Sequence, residues 1–397
     1  MRVLMVAGEY PPMKGGISRY TANLVGALAK KARIDVATNA VHAGAHSENA
    51  AIHPVVIKGD RGNSDRLLAL VSELKPDVVN VQYERGLYEI DTPAHMLSNI
   101  LFGSTLDKFY RESKVPVVST IHTVYPYDEY RDYVQQRAAR KGGKLGVLPR
   151  RLRVVVRSKM MEYRYRLLLH VANLSYEIIS PTQTIRDIVK RGAVIYHGAE
   201  PAQTMDLTQN RDNLRREFGL PSDKMLLLAF GYAGFYKGFD LLEGLVLPEG
   251  WVLVVKQDRH ERGAEHPIQI GSAINLNIGY LDDEILSKLF LACDAIAFPY
   301  KVVSVSGVMF DALAHGLPFV ASDLAFFREF AEMGLGIVSK RDSESFSRSL
   351  SHLAQNYSQY KRNILQFAPH LQWDKIADQH IQLYARVIKQ YAASTAS

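Results

Sequence analysis

Short runs of consecutive apolar residues alternate with amphipathic segments along most of the chain. Near-continuous apolar runs favour strands buried on both faces, and apolar positions three or four residues apart favour helices. In the first half, helical spacing is clearest at Ile17, Tyr20, Leu24 and Leu28. Strands are predicted there at 2–7, 34–38, 78–83, 115–121, 178–180 and 194–197. Buried strands separated by helices predict a parallel sheet that is covered on both faces.

The second half repeats this plan after a polar segment, 199–222, that contains Pro201 and Pro221 and is a predicted linker. Strands are predicted at 225–230, 251–255, 274–278, 295–299, 318–321 and 336–338. Helices are predicted at 239–246, 283–292, 307–315, 343–356 and about 373–391. We therefore expect an α/β protein with two Rossmann-like, doubly wound domains, 1–200 and 201–370, facing a central cleft. Ligands of such sheets bind beyond the carboxyl ends of the strands.

Composition narrows the class of protein without identifying it. The chain has 397 residues and a net charge of +7, and its one cysteine, Cys293, excludes an intrachain disulfide. No apolar run reaches the roughly 18–20 residues that a membrane-spanning helix needs. Glu9 and two prolines follow the first apolar run, which favours the first strand of a cytoplasmic protein over a signal peptide.

The positive charge is concentrated in one segment. Residues 137–166 contain eleven lysines and arginines and a single acid, Glu162, and the rest of the chain is close to neutral. A local basic patch predicts a local anionic partner, and no nucleic-acid-binding motif accompanies it. A helix beginning near Pro149 would place Arg150, Arg153, Arg157 and Arg164 on one face, and Arg150, Arg151, Arg153 and Arg157 are the predicted contact residues. The alternatives are a solvated helix face, an anionic membrane surface and an acidic saccharide.

The loop after the first strand reads "PPMKGGISRY" (11–20) and differs from the G-x-G-x-x-G fingerprint of dinucleotide-binding domains. An NAD-dependent dehydrogenase is therefore disfavoured. Gly15 and Gly16 immediately precede a predicted helix, whose unpaired N–H groups suit an anionic oxygen. A tight turn that needs glycine explains the same residues.

Four stretches, in order, resemble glycosyltransferase family 4, whose members have the GT-B fold. "GEYPPMKGGISRYTANLVGAL" is similar to the opening of the family, and "GYAGFYKGFDLL" (231–242) to its Lys-Gly loop. "IGYLDDEILSKLFLACDAIAFPY" (278–300) resembles its base-binding strand with the helix and strand that follow. "SGVMFDALAHGLPFVASD" (306–323) resembles its nucleotide-binding helix.

The resemblance implies a retaining transferase that moves a sugar from a nucleotide-diphosphate donor to a saccharide or lipid-linked acceptor. The first domain would hold the acceptor and the second the nucleotide, and the last segment, 371–397, would pack back on the first domain. His122, at the end of its strand, and Lys237 are the implied catalytic residues. The implied donor-binding residues are Gly15, Gly16, Lys237, Tyr280, Ser306, Gly307, Val308 and Asp311.

The chemistry of a sugar nucleotide explains these residue types. Departure of the diphosphate builds negative charge, which a fixed cation and helix N–H groups stabilise most in the transition state. Lys237 can supply the cation, Ser306 and Gly307 open the helix, and a carboxylate at Asp311 can accept both ribose hydroxyls. The simpler explanations are a solvated lysine for Lys237 and a dipole-complementing acid for Asp311.

Two positions depart from the family pattern. Tyr232 stands where an arginine is common, and Val303 where the first of two glutamates is common. Two alternatives therefore remain: another GT-B reaction, such as epimerisation or phosphorolysis, and nucleotide-sugar binding without catalysis. We expect no cofactor and no metal, because helix capping explains the Asp282-Asp283 pair better than metal binding does. The protein would be cytoplasmic, with attachment to the membrane inner face through the basic segment.

Overall fold

The computed structural model describes residues 1–40, 47–90, 92, 94–95, 98–99, 103–140, 162, 165–166, 169–200, 211–259, 266–279 and 281–396. The chain divides into two compact units. The first comprises Met1–Val124, Leu145–Gly198 and Trp373–Ser397, and the second comprises Tyr125–Lys144 and Ala199–Gln372. Segment 125–144 thus groups with the second unit, whereas the sequence placed it within domain 1–200.

The first unit is built on a seven-stranded parallel sheet with the order β3-β2-β1-β4-β5-β6-β7. Its strands are β1 (Arg2–Ala7), β2 (Arg33–Asn39), β3 (Ala51–Val56), β4 (Val78–Tyr83), β5 (Val117–Ile121), β6 (Glu177–Ser180) and β7 (Ala193–Val194). The central strands are buried on both faces, as their mostly apolar sequences predict, and β4 and β5 also bury Asn80, Gln82, Ser119 and Thr120. Edge strand β3 was not predicted, because His53 and Pro54 interrupt its apolar pattern.

Helices on the first unit are α1 (Gly16–Ala29), α2 (Asn63–Leu74), α3 (Arg85–Tyr88), α4 (Asp107–Glu112) and α6 (Gln183–Val189). Helix α5 (Tyr127–Arg140) belongs to the second unit. The last helix, α13 (Trp373–Ala396), shares one hydrophobic core with α1 and the sheet, where Tyr20 and Leu24 join Trp373 and Tyr384. The prediction that the last helix packs back on the first domain is confirmed.

The second unit has a six-stranded parallel sheet with the order β10-β9-β8-β11-β12-β13. Its strands are β8 (Met225–Tyr232), β9 (Trp251–Asp258), β10 (Ile274–Asn275), β11 (Ala295–Phe298), β12 (Phe319–Ser322) and β13 (Gly336–Ser339). Its further helices are α7 (Arg211–Glu217), α8 (Asp283–Ala292), α9 (Gly307–Ala314), α10 (Ala325–Glu332), α11 (Ser343–Gln355) and α12 (Tyr357–Phe367). Two parallel-sheet α/β units confirm the predicted fold class.

Two local predictions have clear outcomes in this unit. The helix expected at 239–246 is instead a short 3-10 segment, Phe239–Gly244, which starts from the left-handed Gly238. The Asp282 side chain accepts a hydrogen bond from the Ile285 N–H (2.9 Å) and caps α8, as predicted.

Helix α5 is anchored to the rest of the second unit by a carboxylate. Glu129 Oε1 accepts from the Ala325 N–H (2.7 Å), the first amide of α10, which has no side-chain cap of its own. Arg328 donates to the same oxygen (3.3 Å). Glu129 therefore caps α10 from another element, and the Tyr133 ring stacks on Phe235 nearby (6.2 Å between centroids).

Candidate functional site: a buried lysine at the end of a parallel sheet

The Lys-Gly loop follows β8 and is held against the end of β11. Lys237 ends a single 3-10 turn, Phe235–Lys237, and Gly238 follows it with φ +68°. A Cβ at Gly238 would overlap the carbonyl oxygen of Pro299, just past β11. Only glycine satisfies both the left-handed backbone and this close approach. The loop therefore brings Lys237 to the carboxyl ends of β8 and β11.

The Lys237 ammonium is almost completely withdrawn from water. The residue is 7% exposed, and Nζ donates a hydrogen bond to the Tyr300 hydroxyl. Nζ lies 4.0 Å from the centroid of the Tyr300 ring and 5.3 Å from that of Tyr236. Burial lowers the pKa of Lys237, and Tyr236 opposes this effect. A buried cation near two aromatic faces is suited to an anionic ligand, because the low dielectric strengthens their attraction.

Helix α9 begins beside this lysine. Ser306 is its N-cap, but its side chain caps no backbone N–H of the helix. Ser306 is 5% exposed, and its hydroxyl meets no hydrogen-bond partner of acceptable geometry in the described part of the chain. Burial raises the pKa of Tyr300, and the nearby Ser306 side chain partly offsets this rise. Tyr300 thus places the Ser306 hydroxyl and the Lys237 ammonium in one neighbourhood.

The other predicted residues of α9 follow in its first turns. Gly307 and Val308 are its first two residues, whose N–H groups lie at the positive end of the helix dipole. Asp311 lies one turn further on and is 4% exposed. Its main-chain oxygen accepts from the His315 ring at the far end of the helix (2.7 Å). A buried carboxylate, a buried hydroxyl and a helix N-terminus are therefore all present on this short helix.

Three charged residues that sequence reasoning did not select fasten the loop. Arg341 donates to the Pro299 carbonyl (3.1 Å) and to Asp240 (3.0 Å), and Lys301 donates to the same carboxylate (3.1 Å). Their positions were a weak indication of a role at this site, since Lys301 and Arg341 stand within three residues after the ends of β11 and β13. Sequence analysis also did not select Tyr300, although it directly follows Pro299 at the end of β11.

In the first unit, the predicted glycines start α1 as expected, but a carboxylate of the same chain lies at the helix terminus. Helix α1 begins at Gly16, with Gly15 as an extended N-cap. Glu9 Oε1 accepts from the Ser18 N–H (3.1 Å), and a Cβ at Gly15 would overlap this carboxylate. A phosphate at the same N–H groups would therefore meet like charge from Glu9. Donor contact by Gly15 and Gly16 stays a prediction.

His122 lies directly after β5 and is 8% exposed. Its Nε2 lies 2.8 Å from Gln82 Oε1, and the Gln82 amide nitrogen in turn donates to Asn80. The amide oxygen therefore accepts, which places the proton of the neutral imidazole on Nε2. Burial, with a smaller effect of His197, lowers the pKa of His122 to about 3. The ring is neutral at physiological pH and suits hydrogen bonding better than proton abstraction.

Some predicted residues lie outside the described residues, namely Tyr280, Arg150, Arg151, Arg153 and Arg157. Within the described residues, no group of three or more His, Cys, Asp and Glu side chains could hold a metal ion. No helix among them is both long and apolar enough to cross a membrane.

Comparison with known proteins supports a glycosyltransferase. Residues 258–356 match the family model for group 1 glycosyl transferases, a segment that contains α9 but not Lys237. No curated protein sequence matches the chain significantly.

Solved structures match almost the whole chain at low identity. Sucrose-phosphate synthase from Thermosynechococcus elongatus is 14% identical, over 98% of this chain and 99% of that chain, with a TM-score of 0.66. Anabaena HepE in complex with UDP is 14% identical over 100% of both chains (TM-score 0.60). UDP-GlcNAc 2-epimerase from Neisseria meningitidis, bound to UDP-GlcNAc, is 14% identical over 97% and 100% (TM-score 0.56). The chain thus has the fold of GT-B enzymes.

Proposed function

We propose that the protein is a glycosyltransferase that moves a sugar from a nucleoside-diphosphate sugar to a saccharide or lipid-linked acceptor, with retention of anomeric configuration. One observation carries the proposal: the buried Lys237 ammonium donates to Tyr300 at the carboxyl ends of β8 and β11, and the buried Ser306 at the N-terminus of α9 is near enough to Tyr300 to lower its pKa. This is a cationic and hydrogen-bonding site at the carboxyl ends of parallel strands, where ligands of such sheets bind. The family match of residues 258–356 supports the same reading.

In this proposal, the diphosphate lies against the second unit. Ser306 and the first N–H groups of α9 donate to phosphate oxygens, and Lys237 donates to the oxygen that gains charge as the sugar leaves. Asp311 accepts hydrogen bonds from the ribose hydroxyls. Because Lys237 is already desolvated in the protein, its charge is in place before the bond breaks and needs no rearrangement of water.

The acceptor would contact the first unit. The neutral His122 ring, whose one N–H faces Gln82, would act toward a sugar hydroxyl as an acceptor and adds no charge. Glu9 and Glu84 follow β1 and β4 at the same edge of the sheet, and carboxylates bind sugar hydroxyls well. We propose that this acidic edge receives hydroxyl groups and not phosphates.

Binding of nucleoside diphosphates tests the proposal directly. Isothermal titration with UDP, GDP and ADP, each repeated in the presence of inorganic pyrophosphate, separates recognition of the base from recognition of the diphosphate. We expect at least one nucleotide to bind with a dissociation constant below about 1 mM, equivalent to about 4 kcal/mol, and pyrophosphate to weaken its binding. Absence of binding by all three would contradict a nucleotide-sugar site.

A second candidate, epimerisation of a sugar nucleotide, is favoured by one feature. Glu84 lies at the end of β4, where burial raises the pKa of its carboxyl and Glu9 adds to that rise. A carboxyl that titrates nearer to neutrality can move a proton at a sugar carbon. Incubation with the donor in D2O distinguishes the two, because only epimerisation through such a proton transfer incorporates deuterium into the sugar. The likeness to an epimerase by itself shows the fold alone.

Membrane attachment is a separate proposal that rests on the sequence of 137–166. About 1 kcal/mol per basic residue near an anionic surface would give reversible binding that weakens with salt. Co-sedimentation with anionic vesicles at low salt, with Arg150, Arg151, Arg153 and Arg157 changed to Glu as comparison, decides it. If the wild type ignores these vesicles, a soluble acceptor becomes the better hypothesis.

A further inference from the structure

Tyr300 has no part in the predicted site, yet it contacts two of its members. It is 2% exposed, and it follows the Pro299 carbonyl that fixes the Lys-Gly loop. Its ring packs edge-on against Phe298 (5.4 Å between centroids) and Phe327 (5.6 Å). Aromatic neighbours on two sides hold the ring in place. Its hydroxyl therefore has a fixed position at the end of β11.

That hydroxyl accepts a hydrogen bond from the Lys237 ammonium, while the ring face lies 4.0 Å from the same nitrogen. An ammonium has three N–H donors. The contact with Tyr300 occupies one of them and fixes the direction of the other two. The ring lies on one side of the nitrogen, so a ligand oxygen has to approach from another side.

We propose that Tyr300 is the positioning residue of the site: its hydroxyl orients the Lys237 ammonium toward the diphosphate of the donor. This inference rests on the proposed function for the identity of the anion, but not for the contact itself. Tyr300 would touch Lys237 and not the reacting atoms, so it acts through the lysine. The alternative is a core tyrosine whose hydroxyl is satisfied by whatever donor is nearest.

The two roles differ in what they do to Lys237. If the hydroxyl stabilises the charged ammonium, its removal makes the neutral amine easier to form, because a buried charge without an acceptor is unfavourable. Among the described residues, Tyr236 and the backbone of Gly231 also face the ammonium. The charged Asp240, Lys301 and Arg341 around the loop pair with one another.

The chain offers a closely matched control. Tyr300→Phe removes the hydroxyl that bonds the ammonium and keeps the ring. Tyr236→Phe removes the hydroxyl of the other ring near this nitrogen. The centroid of that ring lies 5.3 Å from the nitrogen, and its hydroxyl makes no hydrogen bond to it. The two variants change the same chemical group, and only one breaks the contact.

The experiment measures the titration of Lys237 in the full chain without any substrate. Reductive methylation over a pH series, quantified at Lys237 by mass spectrometry, gives the midpoint at which the amine becomes neutral, and this midpoint is independent of how accessible the amine is. We expect Tyr300→Phe to lower the midpoint by about one pH unit and Tyr236→Phe, which removes an opposing effect but no hydrogen bond, to lower it by less. Inorganic pyrophosphate should protect Lys237 at a higher concentration, roughly tenfold, in Tyr300→Phe than in wild type.

An unchanged midpoint in Tyr300→Phe, or an equal shift in both variants, would overturn the inference. If Tyr300→Phe did not fold, Tyr300→His would replace it, because a ring nitrogen can accept a hydrogen bond from the ammonium. We expect its midpoint to lie near that of wild type. A midpoint lowered by a full pH unit would count against the inference. If wild-type protein neither bound pyrophosphate nor cleaved a donor, the proposed function would fail, while the midpoints would still decide the role of Tyr300.

Discussion

Replacing the buried cation of the site should separate catalysis from folding. Lys237→Met keeps an apolar stem in the same space and removes only the charge. At about 4 Å and an effective dielectric constant near 20, a unit charge is worth about 4 kcal/mol to an opposite charge. Loss of one preorganised donor to a developing oxyanion costs about 10²–10³-fold in kcat. We expect donor turnover to fall by about this factor.

Binding of the nucleoside diphosphate should fall less, by about tenfold, because the ground state carries less charge at the bridging oxygen than the transition state does. Folding should be nearly unaffected, since the variant no longer buries an ammonium that is 7% exposed. The assay is release of nucleoside diphosphate from a panel of sugar nucleotides, with Tm measured in parallel.

Lys301→Met is the matched control for Lys237→Met. Lys301 is a second lysine of the same region, pairs with Asp240 (3.1 Å) and lies 3.6 Å from the centroid of the Phe235 ring. Removing it should weaken the loop but change turnover by less than about threefold, as is usual for a partly exposed pair. A folded Lys237→Met protein with turnover within threefold of wild type would refute the assignment of Lys237.

Three further changes test other parts of the account. Asp311→Asn should weaken nucleotide binding about tenfold with a smaller effect on kcat, and equal affinity by calorimetry would remove Asp311 from the ribose site. Gly238→Ala should lower the free energy of unfolding by about 1–3 kcal/mol or more, because φ is +68° and the new Cβ overlaps a carbonyl; an unchanged urea midpoint would contradict this. Burial lowers the pKa of His380 to about 4. As pH falls, the histidine therefore binds its proton in the unfolded state before it does so in the folded state. We expect the free energy of unfolding to fall by up to about 3 kcal/mol between about pH 6.5 and about pH 4. His380→Leu should flatten that slope in denaturation curves, although His122, with its pKa near 3, will keep part of it.

The sheets could be predicted well because their central strands are mostly apolar. β1, β4 and β5 are buried along nearly their whole length, and a short, mostly apolar run is a strong signal even where β4 and β5 include buried polar residues. β3 lies at the edge of its sheet, where His53 faces the polar Asp35 (3.1 Å), and it carries no such run. Its pairing depends on the neighbouring strand, which local sequence does not report.

The site could be predicted only as far as its motif residues. Lys237 and Ser306 are 69 positions apart in the chain, and sequence gave reasons for each singly. What joins them is Tyr300, whose role depends on ring packing against Phe298 and Phe327. Likewise, the glycines at 15 and 16 suggested an open helix terminus, whereas the Glu9 carboxylate, nine residues before Ser18, accepts a hydrogen bond from the Ser18 N–H there. Such contacts follow from tertiary packing and have no local signature.

Proton NMR of sugar nucleotides incubated with the protein, without acceptor, tests the central claim most directly. The spectrum reports at once whether the bond between sugar and diphosphate breaks, which anomer is released first and whether the sugar keeps its configuration at the other carbons. The account predicts that at least one donor yields nucleoside diphosphate and a sugar of unchanged identity, released first in the donor's own anomeric form. Release of the opposite anomer would contradict retention, a sugar epimerised at a ring carbon would favour the epimerase, and a panel that stays intact over days would contradict transfer chemistry altogether.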